Sequence, residues 1–255
     1  KYNVLKTPEN LNNEIGVPLT LLSMKEEHTA AVVEMGISDF GEMDRLGTMV
    51  KPSICLMTTI GYCHLENLKN LDGVLRAKSE VFEHMDKKTG LLVANGDDEK
   101  LRSLDPGMEK ITFGVAESDD YMAYDIESRG FEGVRCKIRG GGMDFEVYIP
   151  AYGSHIVLAA LPAAAIGRKL GMTESEIAEG IGRYATVSGR ANVIDTGYIN
   201  IIDDCYNANP NSVTSSIMSL STLKGRKVAI LGDMKELGNA SSEMHREIGV
   251  LAAHQ

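Results

Sequence analysis

Three short apolar runs, separated by segments of helical period, constrain this chain more than any other feature. They are Thr29-Ala-Ala-Val-Val-Glu-Met-Gly36, Ile54-Cys-Leu-Met-Thr-Thr-Ile-Gly61 and Leu91-Leu-Val-Ala-Asn95. Continuous apolar runs of this length suit strands buried on both faces, as in a parallel sheet covered by helices. Between them, Asp39 to Val50 suits a short helix that stops before Pro52. Val74 to Met85 then places Val74, Leu75, Lys78, Val81, Phe82 and Met85 at helical spacing. The strand–helix–strand order predicts an α/β fold with a mostly parallel sheet flanked by helices.

The pattern changes after residue 110. Ile111–Val115, Tyr121–Glu127, Val134–Arg139 and Phe145–Ile149 read as strands, with Gly140-Gly141-Gly142 as a turn, which predicts an appended antiparallel meander. A helical hairpin follows, over about Ser154–Leu170 and Glu174–Tyr184, and Thr173 with Glu176 makes a capping-box pattern. Near Thr186–Arg190 the chain crosses to a second module. There Tyr198–Asp203 and Lys227–Gly232 read as strands around a helix over Asn211–Leu223, the start of a partial Rossmann-like α/β domain. The expected division is residues 1–187 and 188–255. Lys1 is not an initiating Met, and the last residues stop inside a helical pattern, so both ends read as cuts from something longer.

Charge narrows the function classes. Twenty-six Lys and Arg against thirty-six Asp and Glu give a net charge of −10, which argues against wrapping nucleic acid or lying on an anionic membrane. It leaves room for an anionic ligand held by local cations, backbone N–H groups or a metal. The longest apolar stretch, Ile156 to Gly167, falls short of the roughly 20 residues a membrane span needs. Four cysteines with no CxxC pair read as reduced thiols in a cytoplasmic protein.

Several polar residues fall at the carboxyl ends of the predicted strands, where open α/β sheets bind ligands. Glu34 could bind a metal or orient a phosphate, or be a solvated strand end. His64 follows the second strand as Glu34 follows the first, and could share its site or simply sit in a loop. Lys78 shares a helix face with apolar residues. It could snorkel, pair with a glutamate, or capture carbon dioxide as a carbamate, since burial favours the neutral amine. Asn95-Gly-Asp-Asp98 could be only a turn. Asp203-Asp-Cys-Tyr-Asn-Ala-Asn-Pro-Asn-Ser212 carries more polar groups than a connection needs; Asn211 or Ser212 is the expected N-cap, and the rest call for a ligand or a neighbouring domain. Gly232-Asp-Met-Lys-Glu-Leu-Gly238 repeats that situation.

Taken together, Thr7–Leu22, Glu34-Met-Gly-Ile-Ser, His64-Leu-Glu66, Ala77-Lys-Ser-Glu-Val-Phe82, Asn95–Asp98, Asp203–Pro210 and Leu231–Gly238 resemble the Mur ligases nearly end to end. The likeness is nearest the branch that joins D-alanyl-D-alanine to UDP-N-acetylmuramoyl-tripeptide in the cytoplasm. It implies ATP and Mg2+ as cofactors. It also implies Glu34 and His64 as magnesium ligands and Lys78 as a carbamylated lysine supporting a second magnesium. Asn95 would lie near the nucleotide, Arg190 would reach the phosphates, Asp204 would hold the ribose, and Asn207 and Asn209 would line the same cleft. Asn12 and Asn13 would approach the muramoyl-peptide.

Departures from the family pattern accompany the matches. No Gly-rich GxxGKT/S phosphate loop occurs in the 255 residues, and its expected place is just upstream of Lys1, in a missing N-terminal segment of the same enzyme. Thr59 and Ala159 stand where the family often has Asn. The isolated chain is therefore expected to be a poor catalyst. The competing readings are a non-catalytic nucleotide- or partner-binding remnant, and a sister ligase such as folylpolyglutamate synthetase.

Overall fold

The computed structural model describes residues 1–255. In chain order the elements are β1 (Val4–Lys6), α1 (Gly16–Leu22), β2 (Ala30–Val32), α2 (Glu42–Val50), β3 (Ile54–Met57), α3 (Leu65–Leu68), α4 (Leu71–Ser79), β4 (Leu91–Asn95) and α5 (Glu99–Ser103). β5 (Glu109–Gly114), β6 (Tyr121–Ser128), β7 (Val134–Gly140), β8 (Met143–Ile149), α6 (Val157–Lys169) and α7 (Glu174–Gly182) follow. The remainder holds β9 (Asn192–Asp195), β10 (Asn200–Asp203), α8 (Pro210–Ser221) and α9 (Ser241–His254).

A six-stranded sheet in the order β3-β4-β5-β6-β7-β8 forms the frame. Its first four strands pair in parallel, and β6, β7 and β8 pair antiparallel. The centre of the sheet explains its composition. β4 is buried along its whole length, with Leu91 and Val93 packed on one core and Leu92 and Ala94 on the other. Successive side chains of a strand point to opposite faces, so an unbroken apolar run serves two helical layers at once. α6 and α7 cover the face of Leu91 and Val93; α2, α4 and α5 supply the other core through residues such as Leu46, Val74 and Leu101.

Four expectations need correction. The strand at Glu109–Gly114 joins the parallel part of the sheet, so the meander proper has three strands. The run Thr29–Gly36 keeps only three residues of strand, which pair with β1 alone and leave Val32 64% exposed. Apolarity made that run look buried, but burial on both faces requires layers that a two-stranded pair does not have. Lys227–Gly232 is irregular, with Ile230 95% exposed, and the second module instead pairs β9 with β10 antiparallel. The segment Val74–Met85 divides into the end of α4 and a 3-10 turn over Glu80–His84. That tighter turn buries Val81 and Phe82 and lets Glu80 accept hydrogen bonds from the Gly41 and Asp44 amides at the start of α2.

The capping box at α7 forms as expected. Thr173 Oγ1 accepts from the Glu176 amide at 3.3 Å, and the Glu176 carboxylate accepts from the Thr173 amide at 2.8 Å. Thr173→Ala should cost about 1 kcal/mol of stability by urea denaturation, since a helix-terminal donor loses its acceptor. A loss below the error of the measurement would show that the capping of the first turn of α7 carries none of the fold's stability.

Candidate functional site

The polar residues singled out from the sequence gather on loops at the carboxyl ends of the strands. The loop after β2 carries Glu34, whose Oε1 accepts from Asn12 Nδ2 at 2.8 Å. A Cβ on Gly36 would stand 2.9 Å from the Asn12 side chain, so the glycine leaves the room in which Asn12 reaches the carboxylate. Glu34 Oε2 accepts no hydrogen bond and Glu34 is exposed. Asn13 is separate: its Oδ1 accepts from the Ile15 and Gly16 amides and closes the turn into α1. That contact gives Asn13 a local structural role.

The loop after β3 carries Cys63 and His64, and Asn67 Nδ2 donates to Ser38 O at 3.1 Å, tying it to the loop of Glu34. Lys78, on α4, lies close enough to Cys55 and Cys63 for its charge to act on both thiols. Burial raises Cys55 to about 11, with Lys78 opposing the rise. Burial likewise pushes the Cys63 thiol up, against Lys78 and reinforced by Glu236. Lys78 is half-buried and enters none of the ion pairs of the molecule. His64 Nδ1 meets Glu236 Oε2 at 2.6 Å across the two modules. His64, Lys78, Cys63 and Glu236 therefore make one neighbourhood, and the chain that follows Glu34 is tied to α3 at Ser38.

No three His, Cys, Asp or Glu side chains stand close enough to cage an ion by themselves. Magnesium does not need a cage, because it usually keeps waters and is held by one or two carboxylates plus substrate phosphates. Glu34 Oε2 and His64 Nε2 each lack a protein partner and are donors of the type such a site uses.

Other expected ligand residues already have protein partners. Asn95 is buried, donates to Thr58 O at 2.9 Å and accepts from the Asp97 amide at 2.9 Å, so both ends of its side chain lock the β3 and β4 loops together. Asp98 caps α5 and also accepts from Thr59 Oγ1 and the Ile60 amide, giving Thr59 a local use. Asn209, rather than Asn211 or Ser212, is the N-cap of α8 in a reciprocal box with Ser212. Pro210 fixes the register by occupying the first helical position, where a missing N–H costs nothing. Asn207 Oδ1 accepts from the Ala208 amide.

At the junction of the modules, Arg190 lies 4.1 Å over the ring of Tyr206, between Gly189 and Ala191, both with positive φ. Asp204 accepts from the Ala191 amide at 3.0 Å and from Ser216 Oγ at 2.6 Å. His155 Nδ1 lies 3.4 Å from Ser219 Oγ; enclosure pushes this imidazolium down, with Asp204 opposing. Sequence reasoning missed the Tyr206 platform and the Glu236 contact. Density of polar groups flagged both segments, but nothing in them named a partner. An apolar hollow of about 360 Å³ between α6 and α7 includes Ala159 and Tyr184 and brings no set of polar groups together.

Known proteins resemble this chain along its length. Residues 1–167 match the Mur ligase middle domain, and residues 189–255 match the Mur ligase, glutamate ligase domain. The UDP-N-acetylmuramoyl-tripeptide–D-alanyl-D-alanine ligase of Bacillus subtilis is 35% identical over 254 residues, 98% of this chain and 54% of its own. A crystal structure of MurF from Acinetobacter baumannii superposes with a TM-score of 0.93 at 31% identity, covering 100% of this chain and 56% of that one. MurF from Thermotoga maritima, in complex with ADP, gives 0.88 at 30% identity, covering 98% and 58%. The chain thus spans about half the length of the relatives it matches.

Proposed function

The chain belongs to the Mur ligase family, and we propose that it carries the central and C-terminal parts of an ATP-dependent ligase joining D-alanyl-D-alanine to UDP-N-acetylmuramoyl-tripeptide, in peptidoglycan-precursor synthesis. The observation that carries this reading is the likeness to the Bacillus subtilis ligase along 98% of the chain. The grouping of His64 with Lys78, Cys63 and Glu236 supports it. The proposed division is a central unit over 1–187 and a C-terminal unit over 188–255.

A carboxylate has no leaving group, so amide formation needs it activated. Transfer of the terminal phosphoryl of ATP to the tripeptide carboxylate gives an acyl phosphate and ADP. The amine of the dipeptide attacks its carbonyl carbon, the C–O bond to phosphate breaks, and the amine gives up a proton. Mg2+, when bound, supplies charge neutralisation on the phosphates. Glu34 and His64 would hold it, with Lys78 as its carbamate assisting. Arg190, which stacks on Tyr206, would meet phosphate charge at the junction, and Asp204 would accept from ribose hydroxyls. Asn12, which donates to Glu34, would approach the muramoyl-peptide. Positioning and fixed charge do most of this work.

The test is phosphate release by the full-length protein with ATP, tripeptide precursor and D-alanyl-D-alanine. Release that requires both the tripeptide and the dipeptide is expected. ATP binding without acceptor-dependent release would replace the ligase reading with a nucleotide-binding module.

A further inference from the structure

Two non-glycine residues in the left-handed backbone region face one another across the two modules: His64 with φ of 50° and Glu236 with φ of 62°. Left-handed backbone is costly for residues with a Cβ and persists where surrounding contacts over-determine it. Here two contacts do so. His64 Nδ1 meets Glu236 Oε2 at 2.6 Å, and the Leu65 amide donates to Glu236 O at 3.1 Å. Leu65 is the first residue of α3, so its amide has no acceptor within its own helix, and the other module supplies one. Beside this contact, Tyr62 packs against the small core of Met234, Leu237 and Ile248.

We propose that Glu236 is a positioning residue that clasps His64 when the C-terminal module docks. It fixes the ring as the Nδ1–H tautomer and leaves Nε2 as its lone-pair nitrogen. A histidine that serves as a metal ligand commonly donates its other ring N–H to a carboxylate, which sets its tautomer and orientation. Glu34 and Lys78 reach their places from within the central unit, whereas the partner of His64 comes from the C-terminal unit. Docking thereby completes the orientation of a ligand that the central unit alone leaves free to turn. The role of His64 as a ligand rests on the ligase reading; the clasp itself rests on the contacts.

The experiment compares wild type, Glu236→Gly, Glu236→Ala and Glu236→Gln in the full-length protein without metal, by hydrogen exchange at Leu65 and by 15N NMR of the His64 ring. Glycine accepts the left-handed backbone, so Glu236→Gly deletes the carboxylate without adding strain. Roughly tenfold faster exchange at Leu65 is expected for the Gly and Ala variants, with loss of the Nδ1–H preference and unchanged protection at Leu92. Glutamine can still accept from Nδ1–H and should retain most of both signals. In turnover assays, Gly and Ala should lower kcat more than they raise KM for ATP. Wild-type exchange and tautomer in Glu236→Gly would overturn the clasp. An inactive wild type that still shows the exchange and tautomer differences would overturn the ligase reading and leave the clasp standing.

Discussion

Lys78→Ala is expected to lower ligase turnover by about 10²–10³-fold, the scale seen when a fixed charge near a transferring group is removed. The expectation follows from where Lys78 sits. It lies on α4 with the buried Val74 and Ala77, is half-buried itself, and enters no ion pair, while its charge acts on the thiols of Cys55 and Cys63. A half-buried amine that enters no ion pair is available for modification. Conversion to a carbamate would turn it into an acidic ligand: the neutral amine adds to carbon dioxide, a C–N bond forms, a proton leaves, and an anionic oxygen donor results. The Ala variant should therefore regain part of its activity with added short carboxylic acids, which restore an acid in the space left behind. Labelled carbon dioxide should give a carbamate 13C signal in wild type that is lost in Lys78→Ala. Full activity in the Ala variant would remove the role, and loss of activity with neither rescue nor signal would leave the amine itself as the working group.

Much of this placement was legible before any coordinates. β4 was readable because both of its faces are buried, so apolarity without alternation carried the information; β3, at the sheet edge, buries Cys55 and Met57 but leaves Leu56 exposed, so its apolar run overstated its cover. The same signal misled at Thr29–Gly36 and Lys227–Gly232. An apolar run states that a segment is fit to be covered, and whether cover is present depends on neighbours that the run does not encode. The cap of α7 was legible from Thr173 and Glu176 because they are the only suitable pair at that spacing. At α8, three asparagines and a serine competed within six residues, and the choice of Asn209 depended on Pro210 taking the first helical position. Positions at strand ends identified Glu34, His64 and Asn95 as candidates. They did not reveal that Asn95 has both side-chain ends satisfied, nor that Glu236 meets His64, because such contacts arise from how loops and modules meet and leave no periodic trace.

A second large effect is expected away from the proposed chemistry, at Arg102. The Asp119 side chain is fully buried, with Oδ1 bonded to Arg102 Nη2 at 3.0 Å and Oδ2 without any partner. Gly96 and Gly114 make room for it, since a Cβ on either would stand 1.8 or 2.4 Å from a carboxylate oxygen. Arg102 also donates to Gly96 O and Ser118 Oγ, so this one side chain ties the end of β4 to the loop before β6. Breaking a buried pair leaves an uncompensated charge, worth about 3–5 kcal/mol when both partners are enclosed. Arg102 is 38% exposed, and solvent screening brings the expected cost of Arg102→Ala to about 2–3 kcal/mol at pH 7. The pH dependence has a definite sign. Burial raises the Asp119 pKa in the folded protein, Arg102 opposes that rise, and Asp97 adds to it. The folded state thus binds a proton more readily than the unfolded chain, so this group's contribution to stability falls as pH rises through the window between the two values. Without Arg102 the folded value rises further and the window widens upward. Urea midpoints should therefore show the deficit of Arg102→Ala shrinking as pH is lowered from 7 toward the ordinary carboxylate range, and Arg102→Ala/Asp119→Asn should recover much of the loss at pH 7. A deficit that stays constant with pH and survives the second substitution would mean that Arg102 acts through its bonds to Gly96 and Ser118, with the Asp119 charge contributing little.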